Sequence, residues 1–278
     1  MRSALLSGAL ALGLLGPGAE ARGRHFHLGP NGDGRPGPSA AELVPLLEAF
    51  GRAEPVVCGL AVDAVLSGNF YNHFPGQEAS ARRWAEVLAS PVTAPDAVAL
   101  LALHLKDAQP CVRRLSAELL GRSDSPEALA RLKAGLTVGS AAERQAAALG
   151  LGEASEASTR EALERALSDD EASVAATAAW ALGELEDGRS LPALLVAVRH
   201  ANAAVREAAV EALGNFNDDR AVPTLVTALR DADKDVRRAA AVALAEHGTS
   251  PAAEQALRAA LADASPEVRR EAAQALGR

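Results

Sequence analysis

HANAAVREAAVEALGNFNDDRAVPTLVTALR (200–230) runs straight into DADKDVRRAAAVALAEHG (231–248), and the two stretches share one register. Extending that register in both directions gives windows starting at Gly76, Asp107, Val138, Asp169, His200, Asp231 and Asp263, with steps of 31 residues and a final step of 32. A period of this length marks stacked supersecondary units rather than a single core.

The repeated positions have physical meanings. Position 7 is Arg82, Arg113, Arg144, Arg206, Arg237 and Arg269, with Ala175 the exception. Position 10 is always small, from Ala85 to Ala272, and position 14 is Leu in six windows. Positions 6, 10 and 14 fall on one stripe of a helix, and a small residue at 10 admits a close neighbour. Position 15 is Gly121, Gly152, Gly183, Gly214 and Gly277, which predicts a left-handed helix cap there. A second helix follows, with apolar pairs four apart such as Leu132/Leu136 and Leu225/Leu229. Pro192 and Pro223 suit its first turn. Each window thus reads as a hairpin of two amphipathic helices of about 11–14 residues, neither of which buries its stripe alone. The fold class is all-α, a right-handed α-solenoid (α/α superhelix) of about seven hairpins.

The pattern DxxxxVRxxAxxALG, a short Asp/Arg turn and VPxLxxAL resembles the HEAT-like repeats first recognised in phycobilin lyases, over residues 76–278. That resemblance implies a ladder in which the position-7 arginines meet turn acids of neighbouring repeats, with Asp124, Asp187 and Asp218 as candidates. It also raises a bilin-lyase-like enzyme or maturation factor as an alternative function. Some proteins with such repeats are di-iron hydroxylases that use His-Glu dipeptides, and this chain has no His-Glu dipeptide.

Composition agrees with packed helices. Of 278 residues 49% are hydrophobic but only 3% aromatic, so the apolar share is mainly Ala, Leu and Val. The net charge of −8 argues against a general nucleic-acid binder, which needs a basic face to displace counterions. Arg2, the apolar run at 4–16 and Ala19-Glu20-Ala21 predict a signal peptide over 1–21 and a periplasmic or secreted protein with no transmembrane segment after cleavage. Residues 22–38, rich in Gly and Pro, read as a flexible arm. His25 and His27 flank Phe26, but two histidines without a third ligand do not define a metal site. Residues 39–75 read as an atypical capping hairpin (helices over 39–50 and 54–66) and an aromatic loop. The final helix is expected to lack a second-helix partner, which leaves room for end-to-end self-association of a monomer, or for a structural role in the cell envelope.

No nucleophile elbow, phosphate loop or helical zinc motif appears, so no catalytic residue, cofactor or metal is expected. A stack of helices offers an extended surface, and the function expected is a non-catalytic protein–protein interaction scaffold outside the cytoplasm. Candidate contact residues are Phe70, Tyr71, His73 and Phe74 in the 68–77 loop, which either meets a partner or caps the core. Trp180, at variable position 12, is either an exposed anchor or a half-buried surface residue. The concave side is expected to be lined by second helices presenting Lys106, Arg199, Thr224, Thr227 and Arg230, which would suit an acidic segment of a partner. Cys58 and Cys111 are expected to remain unbridged. Strict alternation puts a whole hairpin between their helices, and a disulfide needs Cα atoms within about 7 Å.

Overall fold

A computed structural model describes residues 37–52, Val62, Trp84, Val87, Leu88 and 90–277 except Asp124, Asn217, Gly248 and Thr249. The described residues form thirteen α-helices and no strand. They are α1 (Ala40–Gly51), α2 (Pro95–His104), α3 (Pro110–Gly121), α4 (Pro126–Val138), α5 (Ala141–Glu153), α6 (Arg160–Ala166), α7 (Ala172–Leu185), α8 (Leu191–Ala197), α9 (Ala203–Asn215), α10 (Val222–Ala228), α11 (Lys234–Glu246), α12 (Pro251–Ala260) and α13 (Pro266–Gly277). None is long and apolar enough to cross a membrane. The chain divides into two units, Met1–Ala154 and Ser155–Arg278.

In the first unit α3 and α5 lie side by side with α4 packed on both, α2 rests on α3, and α1 rests on α2 and α3. In the second unit the first helices of successive repeats, α7, α9, α11 and α13, form one row, while α6, α8, α10 and α12 each lean on the first helix of the next repeat. The stripe positions account for the core. Ala147, Ala178, Ala209, Ala240 and Ala272 are sealed, as are Leu151, Leu182 and Leu213. Each buried Leu contributes about 1.5–3 kcal/mol. The second-helix pairs are buried too, except that Leu257 is sealed while Leu261 is 43% exposed.

Five features differ from the sequence expectation. The position-15 glycines are not left-handed caps. They lie inside or at the last residue of their helices, and the left-handed residues are Ser155 and Glu186 instead. The glycines permit close approach. A Cβ on Gly183 would lie 2.8 Å from Ala212 Cα, and one on Gly214 would lie 2.9 Å from Ala243 Cβ. Adjacent first helices therefore touch almost backbone to backbone, whereas α8, α10 and α12 contact one another little. A row of rods that is tighter on one side curves toward that side. Within the second unit the first helices thus form the inner face, contrary to the expectation that second helices line it.

The second-helix lengths differ as well. α6, α8 and α10 have only seven residues each, and each is preceded by a single 3-10 turn. Two of those turns begin where Asp187 and Asp218 accept the N–H two residues on.

The arginine ladder exists, but its acids are others. Arg206 makes a two-point contact with Asp231 (2.8 and 2.9 Å), and Arg237 makes the same contact with Asp263 (2.8 and 3.0 Å). The partner is the position-1 Asp of the next repeat. The turn acids Asp187 and Asp218 grip their local neighbours Arg189 and Arg220. The position-1 residue has a further task, accepting the N–H of position 3 through Asp107, Asp169, Asp231 and Asp263. His200 replaces the Asp and still accepts from Asn202 N–H, through Nδ1 at 3.1 Å. Ala175, the missing arginine, is the one whose next position 1 is this histidine, so both halves of that rung are absent together.

At the N-terminal end α1 begins at Ser39, whose backbone N–H donates to Glu42 Oε2 at 2.8 Å, and helix 39–50 is as expected. α1 docks directly on the first repeats. Ala40 N–H donates to Asp96 (3.0 Å), and Gln109 Nε2 donates to Gly51 O (3.3 Å). Phe50 meets Trp84 with ring centroids 6.3 Å apart. The cysteine expectation fails. Cys111, sealed at the start of α3, is disulfide-bonded, and the one other cysteine in the chain, Cys58, lies outside the described residues.

Candidate protein-binding face

Nearly every residue type that recurs is consumed by the stack. Positions 6, 10 and 14 form the core, 15 the close approach, and 7 and 1 the ladder. Positions 8 and 12, one turn apart on each first helix, are left to vary. They read Arg114/Glu118 in α3, Gln145/Leu149 in α5, Ala176/Trp180 in α7, Glu207/Glu211 in α9 and Arg238/Val242 in α11.

In α9 the two glutamates are neighbours on one face, and α11 supplies a single cation to both. Arg238 Nη2 lies 2.9 Å from Glu207 Oε1 and 3.6 Å from Glu211 Oε1. Glu207 is 7% exposed, and burial, reinforced by the Glu211 charge, pushes its carboxyl up to about 7 against the pull of Arg238. Glu211 moves upward by burial as well, although 45% of its side chain is open to solvent. One guanidinium thus serves two carboxylates that repel each other across a helical turn.

Trp180 belongs to the same face, one helix back, and is half-buried. The Gly183–Ala212 contact fixes the relative height of α7 and α9. At 1.5 Å per residue, Trp180 stands roughly level with Ala209, between Glu207 and Glu211.

The other anticipated residues are dispersed. Arg199 and Arg230 are exposed just beyond α8 and α10, on the second-helix side, not beside Trp180. Lys106 is exposed, with its Nζ 3.7 Å from Glu143 Oε1. Phe70, Tyr71, His73 and Phe74, like His25 and His27, lie outside the described residues. Among the described residues no three His, Cys, Asp or Glu side chains converge as a metal-binding group would. Sequence reading singled out Trp180 but missed Glu207, Glu211 and Arg238 as its companions. The signal was present in the 31-residue offset that puts Glu207 and Arg238 at the same repeat position.

Fold and face together define an α-solenoid whose first helices present a variable surface. A family model of HEAT repeats matches residues 139–201 and 191–277, and the chain belongs to the HEAT-repeat family. Among solved structures, the E. coli protein YibA is 18% identical with a TM-score of 0.51, covering 85% of this chain and 86% of that one. The complex of CpcE and CpcF of phycocyanin lyase from Nostoc sp. PCC7120 is 25% identical over 65% of this chain and 76% of that one, with a TM-score of 0.49. An engineered protein is 22% identical, TM-score 0.47, over 65% and 95%. No curated protein matches the sequence.

Proposed function

We propose that this chain is a non-catalytic protein-interaction scaffold that works outside the cytoplasm. The observation that carries this is the division of labour along each first helix. The stack uses the recurring positions and leaves the residue type at positions 8 and 12 to vary, and in residues 172–246 these hold Ala176 and Glu207, which are buried, and Trp180, Glu211, Arg238 and Val242, which reach the surface. A half-buried Trp beside charged groups is the composition of a binding hot spot. Export is supported by the apolar run at 4–16 with Ala19-Glu20-Ala21 and by the bonded state of Cys111, since structural disulfides persist where the surroundings are oxidising.

Native mass spectrometry of the protein made from its full gene in an export-competent host tests both halves. A bare chain that begins at Arg22, with both thiols blocked, is expected. A chain retaining Met1 would overturn export. A stoichiometric chromophore or metal would overturn the non-catalytic scaffold in favour of an enzyme or maturation factor.

A further inference from the structure

We propose that the first-helix face of residues 172–246 docks a basic segment of a partner protein, with a Lys or Arg side chain seated beside Trp180, Glu207 and Glu211. This rests on the scaffold reading and names its partner class.

Charge complementarity selects the occupant. At first-helix positions 4, 5, 8, 12 and 16, residues 172–246 hold five carboxylates (Glu184, Glu207, Glu211, Asp235, Glu246) against two cations (Lys234, Arg238). Lys234 lies 3.5 Å from Asp235, and Arg238 is the cation of the α9 pair. On the second-helix side of the same unit Arg165, Arg199, Arg230 and Arg258 are exposed, accompanied by Glu161, Glu164 and Glu254, the last paired with Arg258 at 2.5 Å. A basic segment is therefore attracted more to the first-helix face than to the second-helix side.

The chemistry at the α7–α9 contact suits a cation in particular. Glu207 and Glu211 repel each other, and Arg238 reaches the second only at 3.6 Å, so another cation relieves an existing repulsion. An indole at the same height offers a π face to that cation, an attraction that grows where water is excluded. The net charge of −8 adds long-range steering.

The test is fluorescence anisotropy of the full mature protein against two labelled ten-residue peptides, alternating Arg-Ala and alternating Glu-Ala. The Arg-Ala peptide is expected to bind, and to weaken several-fold between 50 and 200 mM salt. Glu207→Gln with Glu211→Gln is expected to weaken it about tenfold, as is Trp180→Ala. Arg199→Glu with Arg230→Glu is not expected to weaken it. Thermal melts of each variant confirm that the fold is kept, and Glu211→Gln alone, at a half-open position, serves if the double variant does not fold. Equal binding of both peptides, preference for Glu-Ala, or indifference to the Glu207/Glu211 and Trp180 changes would overturn the basic-partner inference. If the peptide fails while a photocrosslinker at position 211 still captures a protein in the producing host, the partner class falls and the scaffold reading stands. If both fail, the scaffold reading falls with it.

Discussion

In α3 the position-12 carboxylate, Glu118, is 3% exposed and grips Arg114 at 2.6 Å; in α9 the carboxylate at the same position, Glu211, is half-open and reaches its cation only at 3.6 Å. Around Glu118 the charges close on themselves. Arg122 lies 3.9 Å from Glu118 and 3.1 Å from Glu153, so two guanidinium groups serve two carboxylates, the Arg114–Glu118 pair buried and Arg122 and Glu153 part-exposed. Around Glu211 two carboxylates share one guanidinium beside a half-buried Trp. The first unit also holds the disulfide at Cys111, and no cysteine occurs in the second. The same repeat positions thus hold a tight ion pair inside one unit and a part-exposed, unevenly paired set of charges in the other. A repeat scaffold permits this, because the recurring positions carry the stack and the residue type at 8 and 12 can vary.

The sharpest way to break this contrast is Arg114→Ala. It leaves Glu118, whose carboxyl burial already pushes up to about 7, without its main partner, and should cost about 3–5 kcal/mol in urea unfolding at alkaline pH, where the carboxyl is charged, and less at acid pH, where it holds a proton. A loss near zero would mean the cluster is not closed. Next, Cys111→Ser should lower the stability of the first unit by about 2–4 kcal/mol, because the unfolded chain regains the freedom of a long loop. An unchanged melt in the presence and absence of reductant would contradict it.

The third prediction concerns pH and the second unit. Folding raises the Glu207 carboxyl from 4.5 to about 7, so the folded state holds that proton more tightly than the unfolded chain. The associated stability is fully present below about pH 4.5 and is lost as pH rises to and through 7, by about 3–4 kcal/mol at about 1.4 kcal/mol per unit. Glu207→Gln should flatten that decline. Glu118 and Glu211 shift in the same direction, so the slope should shrink rather than vanish. A variant with an unchanged slope would show that Glu207 is ionised as easily folded as unfolded.

The smallest effect separates the ladder from its surface imitation. Arg206→Ala removes the two-point contact to Asp231 and should cost about 1–2 kcal/mol. Arg220→Ala removes an exposed local pair with Asp218 and should leave the melt unchanged. Equal losses would remove the distinction.

The fold was legible because the 31-residue period names the same stripe repeatedly, and Leu182, Ala209 and Leu244 could be placed inside without any neighbour in view. What was not legible depended on neighbours. Gly183 carries the same letter whether it caps a helix or admits Ala212. Arg206 has acids at hand in the turn and in the next repeat, and register alone does not choose Asp231 over Asp218. The Cys111 bond was missed because the layer count assumed strict alternation through an N-terminal stretch whose pattern is irregular. The face around Trp180 was half legible. Its variability was visible, but its place on the inner side follows from the closeness of the first helices, which the sequence expresses only as scattered small residues.

The central claim is that recognition belongs to the first-helix face of the second unit. The most direct measurement is photocrosslinking in the exporting host, with the crosslinker placed at Glu211 in one strain and at Thr227, on exposed second helix α10, in another. The account predicts one discrete adduct from position 211, lost with Trp180→Ala, and none from position 227. An adduct from 227 alone, or adducts from both that ignore Trp180, would contradict it.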